Sequence, residues 1–176
     1  RGHRNVLVLG TNLRHMIRCT AASTPEAEDL LRFDQGHAFL REWAALGGRW
    51  QLMRSRTDEE GIARLDVGQF RRQFEGRDDP PTAIFGCRDI EAFRAQQLLR
   101  ELFPSLNGDV EVAGYYDTPW SRAAEPPITT VSLELDEIAS RASEMIDDVL
   151  KDRPVRPKLR VVEPRLLIRE SFGRGR

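Results

Sequence analysis

At 176 residues the chain is long enough to close one hydrophobic core and short for two independent domains. Its 27 basic and 28 acidic side chains leave a net charge of -1, so no basic field marks a nucleic-acid surface within it. No apolar run approaches the roughly 18 residues of a membrane span, and no charged-then-apolar leader resembles a signal peptide. All basic residues except Lys151 and Lys158 are arginines, interspersed with acids as on a solvated face. Cys19 and Cys87 have neither metal-ligand nor CxxC spacing, the usage of two thiols in a reducing cytoplasm. The first residue is Arg1 rather than Met, which points to a piece of a longer protein.

In chain order, residues 5–9 (NVLVL) form a short apolar run closed by Gly10, the pattern of a buried parallel strand. Thr24, Pro25 and Glu26 supply a hydroxyl cap, a proline at the first helical position and an acid in the first turn. The helix they open, or a broken pair, runs to Leu46 and stops at Gly47 and Gly48. Residues 50–53 are the next strand. Asp66 with Gln69 three residues on resembles a capping box for a helix ending near Gly76. Pro80 and Pro81 end what precedes them and launch a strand over residues 82–85. Residues 90–102 carry a helix with Ile90, Phe93, Leu98 and Leu102 among its apolar positions, closed by Pro104 and the Asn107-Gly108 turn. Val110, Val112 and Ala113 lead a further strand. Leu135, Ile138, Ala139, Ala142, Met145, Ile146 and Val149 fall on one helical face. Residues 158–162 and 166–168 read as two last extended segments, followed by a frayed tail over 172–176.

Alternating strands and helices with helix-length crossovers predict an α/β fold: an open, mostly parallel sheet flanked by helices. Ligands of such sheets sit beyond the carboxyl ends of the strands, which here are Phe85-Gly86-Cys87-Arg88-Asp89 and Gly114-Tyr115-Tyr116-Asp117. Catalytic constellations are lacking: the sequence has no GxSxG elbow, no Walker loop and no GxGxxG after a strand. His3, His15 and His37 have no partner at ligand spacing, so neither a metal nor a cofactor is expected. After Asp117 a loop over the mouth of a cleft is expected, then a stiff return in which Pro126 and Pro127 fix the backbone as a rigid hinge crossing before residues 129–131 resume extended structure; a plain loop before an edge strand is the alternative.

Four blocks together resemble one family. "GHRNVLVLGT" (2–11), "PPTAIFGCRDIEAFRAQQLLRELF" (80–103), "DVEVAGYYDTPWSRAAEPPITTVSLELDEIASRASEMI" (109–146) and "PRLLIRES" (164–171) recur in the order of the LacI family of bacterial transcription regulators. The effector-binding core of that family is similar to type I periplasmic sugar-binding proteins. The family pattern is a Gly-His strand entry, P-T-A-[IV]-F-x-x-N-D, V-x-G-[FY]-D-D, P-P-L-T-T-V, a helix and a closing R-E-S strand.

The resemblance implies a chain that begins where the second of two lobes begins, with residues 1–131 and 152–171 in that lobe. It implies that residues 132–151 cross over, their helix packing on the other lobe or on a partner. The implied protein is a cytoplasmic homodimer that binds operator DNA through a helix-turn-helix preceding these residues and responds to a small-molecule effector. An exported solute-binding subunit of a sugar transporter and a flavodoxin-like enzyme domain are the alternatives. Carried over one position at a time, the family's ligand residues fall on Gln35, Thr57, Arg88, Asp89, Tyr116, Asp117 and Leu133. Most differ in kind: Arg88 stands for an asparagine, Tyr116 for an aspartate, Thr57 for an aromatic residue and Leu133 for a polar one, while Asp89 and Asp117 are retained. Asp89 suits a structural role as well as a ligand role. Arg88 and Tyr116 suit an acidic or phosphorylated effector, leaving a sugar, an acidic metabolite and no ligand all open.

Overall fold

The structure, a computed structural model, describes residues 3–10, 35–60 and 62–172, without the side chains of Gln35 and His37. Six strands form one sheet in the order β2-β1-β5-β6-β7-β8: β1 (Asn5–Gly10), β2 (Arg49–Arg54), β5 (Ala83–Gly86), β6 (Glu111–Tyr115), β7 (Thr129–Ser132) and β8 (Arg165–Leu167). All neighbours are parallel except β8, which runs antiparallel to β7. A small hairpin, β3 (Arg56–Thr57) with β4 (Ala63–Arg64), stands apart. The helices are α1 (Gln35–Ala45), α2 (Val67–Phe74), α3 (Asp89–Leu102), the short α4 (Pro119–Ala123) and α5 (Leu135–Leu150).

The period of two along β1 divides the core between the two faces of the sheet. Leu7 and Leu9 join Phe70 and Phe74 of α2, Ala92, Ala95 and Leu99 of α3 and Ala124 on one side. Val6 and Val8 meet Leu40 of α1, Phe85 and Cys87 on the other, with Phe39, Trp43, Leu52 and Tyr115 packed around them. Being buried on both faces, β1 needs a continuous apolar run, which residues 6–9 supply after the buried polar Asn5.

Local signals set the boundaries. Asp66 caps α2, its Oδ1 accepting the Gln69 N–H at 2.6 Å. Gly47, at φ +75°, ends α1, and the Gly48 N–H returns to the Trp43 carbonyl. A side chain at Gly48 would collide with the Trp43 indole, whose Nε1 donates to the Arg49 carbonyl.

Three expectations differ. Residues 158–162 join no strand; they lie beside α5, where Arg141 donates to the Val161 carbonyl and Arg160 pairs with Glu144. Phe172, read as tail, is half-buried with its ring 6.2 Å from that of His3; residues 173–176 lie outside the described residues, as do Cys19, His15 and the helix start at Thr24-Pro25-Glu26. The prolines do not stiffen the mouth of a cleft. The Glu125-Pro126 bond is cis, and both prolines feed the first residue of β7 from the edge opposite the strand carboxyl ends, where Pro126 accepts from Gln96 and Pro127 from the Ser171 N–H. Which edge a loop borders depends on strand direction, and no local pattern carries that.

The apolar stripe of α5 is uncovered. None of its residues is buried; Leu135, Ile138, Ile146, Val149 and Leu150 are all exposed. Among the described residues no helix is long and apolar enough to cross a membrane, and no His, Cys, Asp and Glu side chains group as metal ligands.

Candidate functional site

Parallel pairing brings the carboxyl ends of β1, β2, β5, β6 and β7 to one edge. Because Phe85 pairs with Ala113, Arg88 and Tyr116 each follow the matched pair by three residues and emerge on neighbouring strands. Thr57 is there too: its Oγ1 accepts a hydrogen bond from an Arg88 terminal nitrogen at 3.2 Å. Gln35 is the first residue of α1, with its side chain outside the described residues. Leu133 sits half-buried just past β7.

Arg88 precedes the first turn of α3, and Glu91, fully buried, reaches back to it. Glu91 Oε2 accepts the Arg88 backbone N–H at 3.1 Å, and Oε1 accepts the guanidinium at 3.0 Å and the Ser55 hydroxyl at 2.5 Å. Burial pushes the Glu91 carboxyl above its ordinary range, with the Ser55 and Arg88 contacts opposing it.

Asp89 lies behind the rim rather than on it. It is 0% exposed, and both oxygens are engaged: Oδ1 accepts the Thr130 hydroxyl at 2.6 Å, and Oδ2 accepts the Thr118 N–H at 2.6 Å and its hydroxyl at 3.0 Å. It therefore ties the start of α3 to the loop after β6 and to β7, and offers no oxygen to a ligand. Desolvation raises its carboxyl pKa against the pull of the threonine donors.

Tyr116 and Asp117 both adopt positive φ, 100° and 54°, a backbone that costs non-glycine residues on the order of 1–3 kcal/mol each. The surroundings hold the turn in place. The Tyr116 N–H donates to the Val131 carbonyl at 2.9 Å. Asp117 is clamped by Arg169 and Arg122, each at 2.6 Å, and accepts from the Ser121 hydroxyl. Burial alone would raise the Asp117 pKa, but hydrogen bonds from Arg122 and Arg169 outweigh it and hold the carboxyl below the ordinary aspartate range. The Tyr116 ring meets Tyr115 edge-on at 5.0 Å.

Tyr116 and Asp117 open onto a surface pocket of about 430 Å³ whose other walls include Arg122, Ser132, Glu134 and Arg165. Glu134, also at positive φ (54°), accepts from Arg165 at 2.5 Å, joining the segment that leaves the sheet to the one that returns. Sequence reasoning missed Glu91, Ser55, Arg122, Glu134, Arg165 and Arg169 as members of this neighbourhood. Arg169 opens the closing R-E-S and could have been flagged by it; Glu91, Arg122, Glu134 and Arg165 lie in the matched blocks at positions the family pattern leaves unspecified, and Ser55 lies outside them.

Comparison with known proteins agrees with this architecture. The model of the periplasmic binding protein-like domain matches residues 1–172. The ribose operon repressor of Haemophilus influenzae is 27% identical over 173 residues, covering 97% of this chain and 47% of the repressor; the chain thus spans about half the length of that relative. A dimeric Lac repressor with an 11-residue C-terminal deletion superimposes with a TM-score of 0.66 at 20% identity, over 97% of this chain and 56% of the repressor. A complex of the transcriptional regulator CelR with cellobiose does so at 0.63 and 21% identity, over 97% and 47%. The chain belongs to the periplasmic binding protein-like domain family.

Proposed function

We propose that this chain is the effector-sensing second lobe of a LacI-type DNA-binding regulator, with a small molecule held against Arg88, Thr57, Tyr116 and the pocket beside Asp117. The observation that carries this reading is the strand-end rim itself. Two consecutive strained residues are braced by buried and paired groups beside the segments that leave and re-enter the sheet. Strain so supported is a hallmark of a binding site rather than of a plain loop. The names of its relatives favour a regulator over an enzyme.

In the full-length protein, α5 would pack its bare apolar stripe on the other lobe, operator DNA would be read by a helix-turn-helix, and two copies would pair in the cytoplasm. The effector acts by population shift: it must bind one lobe arrangement better than the other, since equal affinity for both changes nothing. Ribose and cellobiose, the sugars that name two of the relatives, are the first compounds to try.

The test is operator binding by the full-length protein, measured by fluorescence anisotropy with and without each compound. The expected result is an effector-dependent shift in operator affinity that Arg88→Ala and Tyr116→Ala each abolish. An unaltered shift in both variants removes the strand-end rim from the site.

A further inference from the structure

The amino ends of β1 and β2 meet the loop that joins α2 to β5 around a surface pocket of about 490 Å³, a volume suited to a small ligand. This is the edge opposite the strand-end rim. Asp79 is pinned there: Asn5 Nδ2 donates to its carbonyl at 2.8 Å and to its Oδ2 at 3.2 Å, and Arg49 pairs with the same carboxylate at 2.7 Å. With the amide nitrogen of Asn5 held by two acceptors, the other end of the amide is the oxygen. Asn5 is 4% exposed, and its Oδ1 is buried with no partner among the described residues. Leu7 and Leu9, next on the same face of β1, belong to the apolar core and offer no side-chain donor. The missing donor therefore has to come from the pocket, which Asn5 lines.

Arg77 and Asp78 line the same pocket as exposed charges of opposite sign, and neither is engaged by a hydrogen bond or ion pair among the described residues. Arg49 and Asp79 cancel each other, so the pocket has no net charge but two unspent ones. A simple anion would satisfy Arg77 and be repelled by Asp78, a simple cation the reverse, and a polyol would give neither a charged partner. We propose that this pocket is a second small-molecule site that takes a zwitterion of the free amino-acid type, with its carboxylate on Arg77 and its ammonium group on Asp78 and Asn5 Oδ1. The proposal stands whether or not the rim holds an effector, because the two sites lie at opposite ends of the parallel strands.

The test is thermal melting of the full-length protein with each free amino acid, compared with its N-acetyl derivative, which keeps only the main-chain carboxylate, and its methyl ester, which keeps only the main-chain ammonium group. At least one free amino acid is expected to raise the wild-type melting temperature while its two derivatives do not. Arg77→Gln and Asp78→Asn change exposed side chains and should leave folding intact. Each is expected to weaken that amino acid by about tenfold or more in calorimetric titration, the scale of one charge-assisted contact. Arg88→Ala and Tyr116→Ala are expected to leave it bound. The absence of a shift with every free amino acid overturns the inference, as does a shift that the ester or the N-acetyl derivative reproduces in full. A shift that survives in the Arg77→Gln, Asp78→Asn double variant also overturns it, and so does one lost with Arg88→Ala or Tyr116→Ala, which places the ligand at the rim. The effector reading of the rim stands or falls separately, on operator affinity.

Discussion

Replacing Gly114 by alanine would drive a methyl group to 2.3 Å from Asp89 Oδ1 and 3.1 Å from its Cα. Ordinary contact needs roughly 3.4 Å or more, so one partner must move by about 1 Å. The carboxylate cannot yield freely, because Thr118 and Thr130 hold both oxygens. If the backbone yields, the cost is that of overpacking, about 1–3 kcal/mol. If Asp89 yields, buried donors lose an ionised acceptor, at about 1–3 kcal/mol. A loss of about 1–3 kcal/mol is expected, visible in urea denaturation followed by tryptophan fluorescence as a midpoint lowered by about 0.5–1.5 M with little change in slope. The companion is Asp89→Ala, alone and combined with Gly114→Ala. Removing the carboxylate removes the atom the methyl strikes, so the double variant should be more stable than the two losses predict by about 1 kcal/mol or more. Additivity within about 0.5 kcal/mol, or a Gly114→Ala cost below about 1 kcal/mol, would refute the tight packing of β6 on Asp89.

Ile146→Asn on the exposed face of α5 should change the stability of this chain by no more than about 0.5 kcal/mol, yet destabilise the full-length protein measurably in thermal melts if that face is covered there; an unchanged full-length melt contradicts the crossover role. Arg169→Met should destabilise at neutral pH by roughly 1–3 kcal/mol, the cost of a lost charged partner. The Asp117 pKa is lowered in the folded state, so its contribution is fully present above the unfolded value of 3.8 and is lost as pH falls through the folded value. The gap between wild type and Arg169→Met in urea midpoints should therefore narrow on acidification below pH 3.8, and a gap independent of pH would exclude Asp117 as the partner that matters.

Local chemistry was legible and long-range chemistry was not. The apolar run of β1, the Asp66 cap and the Gly47 stop act within a few residues, so sequence places them within a residue or two of the observed boundaries. The strand-end positions Arg88 and Tyr116 followed from topology together with family resemblance. What held these residues did not follow. Asp89 finds Thr118 and Thr130 at separations of 29 and 41 residues, and Asp117 finds Arg169 at 52. Residues 158–162 looked extended because alternating apolar residues fit a strand, but a strand also needs a neighbour to bond, and those residues run instead along α5 through arginines. The reading of Arg88 as an anion clamp came from its residue type. That Glu91, three residues on, is buried and pairs with Arg88 is a property its helical position does not announce.

The chain leaves the sheet at Ser132 and comes back at Arg165, and these two residues are antiparallel partners. Everything between them, α5 included, hangs from the sheet by a two-ply ribbon cross-tied by Glu134 and Arg165. A ribbon of two bonded strands flexes across its flat side far more readily than it twists or shears, so this attachment has one soft axis. The Val131 carbonyl at its root holds the Tyr116 N–H, so the strained turn at Tyr116 stands one hydrogen bond from that attachment.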